Sequence, residues 1–231
     1  MTTPWIPPGN AGLAGARVLS VNVGLPREVE SDGRTVRTSI HKSPVAGPVM
    51  VRRHNLDGDR QSDLAVHGGP YKAVYAYPSE HYAFWREQLG VADLPWGAFG
   101  ENLTTEGLWE ADVMIGDRLV VGGAEFAVTQ PRLPCYKLAL RHGRPDIIEL
   151  FLESGRSGFY LSVEREGGLA AGAAVELVAR PADTVSVRDV AALRANKRPD
   201  PTLVRQAASH SGLAPSWREH FLKRLTHDAG P

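Results

Sequence analysis

The chain is nearly without cysteine. Cys135 is the one thiol in 231 residues. That excludes an internal disulfide, a cysteine-built structural zinc site and an iron–sulfur cluster, each of which needs more than one thiolate. Long apolar runs are lacking too: no stretch approaches the roughly 20 residues that cross a bilayer as a helix. The opening MTTPWIPPGNAGLAGA has neither the charged start nor the apolar centre of a secretory signal. Charge of one sign is missing as well. With 26 Lys plus Arg against 26 Asp plus Glu, no global field would gather nucleic acid or an anionic membrane. Neither a dinucleotide fingerprint nor a metal-ligand histidine spacing is present. The expectation from these absences is a protein of the reducing cytoplasm.

What the chain does have is glycine and proline, 24 and 17, which cut the first 180 residues into short elements. Strands are expected at Arg17–Gly24, Lys72–Tyr77, Asp117–Gly122, Ala124–Gln130 and Ala173–Ala179. The Gly122-Gly123 pair suits a tight hairpin. PSEHYAFWREQLG reads as a helix capped by Ser79 and stopped at Gly90, and a second helix is expected over Pro145–Glu153. Many short strands with few helices predict a mixed, β-rich fold, a closed or nearly closed barrel, since closure removes exposed edges. After Pro181 the pattern changes to three short helices with caps at Ser186, Asp200 and Ser216. The predicted organisation is therefore a barrel over residues 1–181 and a three-helix extension over 182–231. Eight Lys/Arg against five Asp/Glu in that extension is a weak balance for a DNA-groove binder, so a docking or dimerising module is expected there.

Four polar segments could carry chemistry. TQPRLPCYKL puts Cys135 between Arg132 and Lys137. Cations favour the thiolate, the form that attacks electrophiles and binds soft metals, although a small buried thiol also packs well. HNLDGDRQSDLAVHGGPYKAVYAYP joins an acidic turn to Gly68-Gly69, which can bring backbone amides close to an anion. Its His54, Asp57, Asp59 and His67 would be the ligands of a metal hydrolase, but their spacing does not support one. IHKSPVAGPV offers Lys42-Ser43, a pair able to hold a phosphate, and FGENLTTEG offers Asn102 among turn residues.

Taken in order, IHKSPV, GDRQSDLAVHGGPYKAVYAYPSEHYAFW, FGENLTTEGL, IGDRLVVGGAEFAVTQPRLPCYKL and GRSGFYLSVEREGGLAAGAAVEL resemble the MOSC domain in its YiiM-type branch, over about residues 15–180. The resemblance implies a β-barrel that binds the molybdenum cofactor, with Cys135 as the metal ligand. It also implies Lys42, Ser43 and Asn102 as cofactor contacts, with Arg132 or Arg60 as the cofactor's arginine and Gly68 and Gly69 beside it. Relatives carry a further cysteine just before the ligand, where this chain has PRLPC. The implied activity is reduction of N-hydroxylated small molecules, notably hydroxylaminopurine-type bases, and the implied assembly is a homodimer.

A thiolate suits a soft dithiolene-bound metal better than histidine or carboxylate does, and the hard chemistry would lie in the cofactor. His67 is the expected proton donor. Electrons would come from a separate flavoprotein or haem reductase, because the chain has no cluster or dinucleotide motif of its own. The alternative is a sulfur carrier with Cys135 as a persulfide.

Overall fold

The computed structural model describes residues 13–31, 33–63 and 68–227. Its first half contains β1 (Arg17–Val23), β2 (Arg27–Ser31), β3 (Arg34–Thr38), β4 (Ser43–Pro44), β5 (Val49–Arg52), β6 (Asn55–Leu56), β7 (Val74–Pro78), α1 (His81–Leu89) and β8 (Leu103–Glu106). There follow β9 (Arg118–Val121), β10 (Ala124–Pro131), α2 (Tyr136–His142), α3 (Ile147–Ser154), β11 (Phe159–Arg165), β12 (Gly167–Leu169) and β13 (Val175–Ala179). The chain ends in α4 (Val187–Ala195), α5 (Pro201–Ser209) and α6 (Pro215–His227).

Eight strands form one sheet in the order β13-β9-β10-β11-β7-β8-β1-β4. Every pairing is antiparallel except β7 with β8. The ladder is not a continuous ring, yet its ends meet. Val18 N–H donates to the Ala173 carbonyl at 2.9 Å and Val175 N–H to the Ala16 carbonyl at 2.8 Å, so the chain around β13 lies against the start of β1. The expected Gly122-Gly123 hairpin joins β9 to β10, with Val121 opposite Ala124.

Side chains alternate across a strand, and β7 uses both of its faces. Val74 and Ala76 enter the main core with Val18, Val51, Phe126 and Phe159. Tyr75 and Tyr77 enter a second cluster of Trp85, Phe99 and Phe151, over which α1, α2 and α3 pack. Burial holds both phenols well above their usual pKa, so they remain donors. Tyr75 donates to the Ser157 carbonyl at 2.8 Å and Tyr77 to the Arg156 carbonyl at 3.1 Å. The loop before β11 is fixed by these bonds.

The C-terminal helices do not form a core of their own. Val187, Val190, Val204, Leu213 and Phe221 are buried within the same cluster as the barrel strands. Main-chain bonds tie the junction: Ile115 N–H to the Val185 carbonyl, Val187 N–H to the Val113 carbonyl, and Ala214 N–H to the Thr129 carbonyl of β10. Ser186 caps α4 through Asp189 N–H, and Asp200 caps α5 through Thr202 N–H. Removing residues 182–231 is therefore expected to cost the barrel its fold. Five large side chains at roughly 1.5–3 kcal/mol each rival the whole stability of an ordinary domain, about 5–15 kcal/mol. Truncation should yield insoluble protein or a lost cooperative melt; a truncated chain that melts like the full one would contradict this.

Candidate functional site

Between the β3–β4 connection and the start of α2 lies a hollow whose lining includes Cys135, Arg132, Lys42, Lys72, Lys137 and Asn102. Tyr75, Phe99 and Tyr160 form its aromatic side. Residues from five separate stretches of the sequence thus converge. Among the described residues, no carboxylate lines it.

Each cation is held differently. Arg132 follows the last residue of β10, and its N–H donates to the Gly158 carbonyl at 3.3 Å. Its guanidinium carbon lies 5.1 Å from the ring centroids of both Tyr75 and Phe151, a cation–π arrangement. The side chain is buried, and Nη1 has no hydrogen-bond partner. An unsatisfied buried donor on a permanent cation is costly.

Lys42 is also buried, at 9% exposure. Burial pushes its pKa down, and Asp59 pulls it back up. The Lys42 ammonium bonds Asp59 Oδ1, while Asp59 also accepts Gly24 N–H at 2.9 Å and Asn102 Nδ2 at 2.8 Å. The Lys42 main chain can sit this deep because two glycines flank it. A Cβ on Gly97 would stand 2.9 Å from the Lys42 carbonyl oxygen, and one on Gly24 only 2.5 Å from that of His41. Lys137 donates to Ser62 Oγ at 3.0 Å, and burial lowers the pKa of Lys72.

Cys135 occupies the N-cap of α2 in an extended conformation, with no side-chain cap bond. A helix N-terminus and cationic neighbours both favour a thiolate.

Not every expected residue arrives here. Lys42, Asn102, Arg132 and Cys135 are brought together. Asn102 is already occupied by protein: its Oδ1 accepts Tyr75 N–H at 3.1 Å and its Nδ2 serves Asp59 and the Asn22 carbonyl. Its work is to hold β7, β1 and Asp59 together. Ser43 is exposed in β4 opposite Val23 and does not line the hollow. Arg60 lines a neighbouring groove, across a wall of Gln61, Ser62 and Lys137. Gly68 and Gly69 lie outside the lining, Gly69 capping a short 3-10 turn at φ 85°. His67 falls outside the described residues. Among the described residues no hydrolase ligand set assembles: Asp57 is paired with Arg52 at the surface and Asp59 lies beneath Lys42.

Sequence reasoning missed Lys72, Tyr160 and the counterion role of Asp59. Lys72 stands within the GGPYKAV string, but nothing local marks the others.

His142 packs behind Phe99, one of the lining residues. Its Nε2 meets the Ala98 carbonyl at 3.0 Å and its ring stacks on Phe99 at 5.5 Å. Burial, aided by Arg141 and Arg132, lowers its pKa from 6.5 to about 4. The unfolded chain then takes up the proton first as pH falls. The stability it contributes is full above 6.5 and is lost progressively toward pH 4. His142→Gln should flatten that loss, measured as urea midpoints at pH 7.5 and 5. An unchanged slope would refute the assignment.

An anion-hungry pocket with a thiol at its mouth, on a sheet that curls into a barrel, defines a class. Residues 63–176 match the model described as MOSC domain, and MOSC domains are associated with molybdenum cofactor binding. Residues 185–228 match the YiiM-like, 3-alpha helix domain. The chain belongs to the YiiM-like family of MOSC-domain proteins. Among its relatives is the Bacillus subtilis protein YflK, 42% identical over 90% of this chain and 93% of the relative. Protein YiiM of Escherichia coli is 39% identical over 81% of this chain and 84% of its own length. The crystal structure of YiiM from Geobacillus stearothermophilus superposes with a TM-score of 0.77 at 40% identity, covering 91% of this chain and 99% of that one. Among the described residues no helix is long and apolar enough to cross a membrane.

Proposed function

We propose that this protein binds the molybdenum cofactor in the Cys135 pocket and reduces N-hydroxylated compounds, hydroxylaminopurine-type bases among them. Electrons come from a separate flavoprotein or haem reductase. One observation carries the reading: a buried guanidinium with an unpartnered N–H shares a carboxylate-free pocket with the chain's one thiol. Such a donor set fits a group that is both anionic and thiophilic. A longer Gibberella moniliformis protein named Reductase lends support; it is 34% identical over 68% of this chain, which covers 28% of that protein.

In this reading Cys135 Sγ would hold the metal, and Arg132 would give its unpartnered Nη1–H to the cofactor. Lys72 and Lys137 offset the remaining negative charge. Lys42 contributes a cation fixed in place by Asp59. When bound, the cofactor supplies the two electrons that break the N–O bond. With two protons, R–NHOH becomes R–NH2 and water. The pocket's aromatic side, Tyr75, Phe99 and Tyr160, excludes bulk water.

The test is molybdenum analysis of protein made in a host that synthesises the cofactor, followed by reduction of 6-hydroxylaminopurine with an artificial electron donor. About one molybdenum per chain and turnover are expected. Cyanide-labile sulfur on Cys135 without molybdenum would replace this reading with the persulfide carrier.

A further inference from the structure

The wall of Gln61, Ser62 and Lys137 has a second side. Beyond it runs an open groove bounded by the β2–β3 hairpin and by Tyr136, the first residue of α2. Tyr136 follows Cys135 directly in the chain and is 60% exposed, an aromatic ring held at the surface beside the reactive pocket. Arg37 and Arg60 both line the groove and are exposed, and among the described residues neither is in an ion pair. Some surface arginines have such partners, as Arg17 has Glu106 and Arg52 has Asp57, and others such as Arg27, Arg53 and Arg198 have none among the described residues; what sets Arg37 and Arg60 apart is that both line one groove beside Tyr136. Among the described residues, Asp63 is the one carboxylate of the groove's lining.

An exposed aromatic ring offers a stacking platform for a nucleobase. Guanidinium groups with open donors match a phosphate in bidentate geometry. The polar side chains of Asn55, Gln61 and Ser62, also in the lining, can meet ribose hydroxyls. We infer that this groove is a subsite for the ribose 5′-phosphate of a purine nucleotide, so that the protein acts on N-hydroxylated purine nucleoside 5′-monophosphates in preference to free bases. The inference rests on the reductase reading for its chemistry, but the groove's ligand does not. The phosphate lies on Arg37 and Arg60, and the base stacks on Tyr136 and reaches past the Ser62–Lys137 wall to present its exocyclic nitrogen to the Cys135 pocket. The bond broken is the same N–O bond, with the same two electrons from the reductase, and the phosphate ester is left intact.

A phosphate here has two sources, the substrate or the cofactor's own terminal phosphate, and the experiment separates them. Cofactor-loaded full-length protein is assayed with 6-hydroxylaminopurine, its ribonucleoside and its 5′-monophosphate, for wild type, Arg37→Ala and Arg60→Ala. The wild type should prefer the monophosphate over the ribonucleoside by about tenfold or more in kcat/KM, through KM, as a charge-assisted Arg–phosphate pair implies. Each variant should lose most of that preference and keep wild-type molybdenum content. Loss of molybdenum in the variants would assign the groove to the cofactor and overturn the proposal. A monophosphate no better than its ribonucleoside would overturn it too. Calorimetric titration of cofactor-free protein with adenosine 5′-monophosphate decides independently. Binding that weakens in both variants supports the subsite even if no molybdenum is ever found, and absence of binding refutes it even if the base is reduced.

Discussion

Cys135→Ser is expected to empty the protein of molybdenum and abolish turnover while leaving the fold as stable as before or firmer. The exchange removes one sulfur and adds one oxygen. A serine hydroxyl is too hard a ligand to replace a thiolate on a soft metal. At the N-cap of α2, however, serine is the better residue. Cys135 caps nothing with its side chain, whereas a serine there can accept one of the helix's first N–H groups, worth up to about 1 kcal/mol. For a chain of this size that raises the melting temperature by about 2–4 °C. Cys135→Ala should lose the metal equally and gain nothing. Metal content and melting temperature moving in opposite directions is a signature that general damage could not produce. A serine variant that keeps its molybdenum would remove Cys135 from the metal.

Asp59→Asn is expected to be the most destabilising single change at the site, by about 3–5 kcal/mol, the cost of leaving a buried charge without its partner. Asp59 is 2% exposed and answers three donors: the Lys42 ammonium, the Asn102 amide and the Gly24 N–H. A neutral amide leaves Lys42 without its hydrogen-bonded counterion, with only the weaker attraction of Glu101 remaining. Pairing Asp59→Asn with Lys42→Met removes both charges, and the double variant should recover much of the loss, as coupled neighbours do. Chemical denaturation of the four proteins of that cycle gives the coupling directly. Additive effects would mean that Lys42 does not depend on Asp59. The recovered double variant should still bind molybdenum poorly, because a pocket cation has gone with the strain.

Much of this arrangement was legible in the sequence, and what was hidden was hidden for physical reasons. Strands with one polar face, such as Arg118–Val121 and Ala124–Pro131, show themselves by alternation. Strand β7 is buried throughout and gives no period, yet a strand is expected over Lys72–Tyr77 because its residues are aromatic and β-branched. Helix α2 went unread because seven residues are too few for a helical period and two prolines precede it. The Lys42-Ser43 pair looked like one binding unit. In extended chain, neighbours point to opposite faces; Lys42 goes inward and Ser43 out to solvent. Cys135 and Asn102 were found because their segments are distinctive. Asp59 stood among four acidic residues between 57 and 80, and only the folded chain shows which one lies under a lysine.

A hydrogen bond from the Ala214 N–H to the Thr129 carbonyl, together with a shared core, ties the last helices to the strand that leads to Arg132. In deuterium exchange, amides of α6 and of β10 should therefore become labile together, in one concerted opening. The Arg132 guanidinium and helix α6 share a common melting fate.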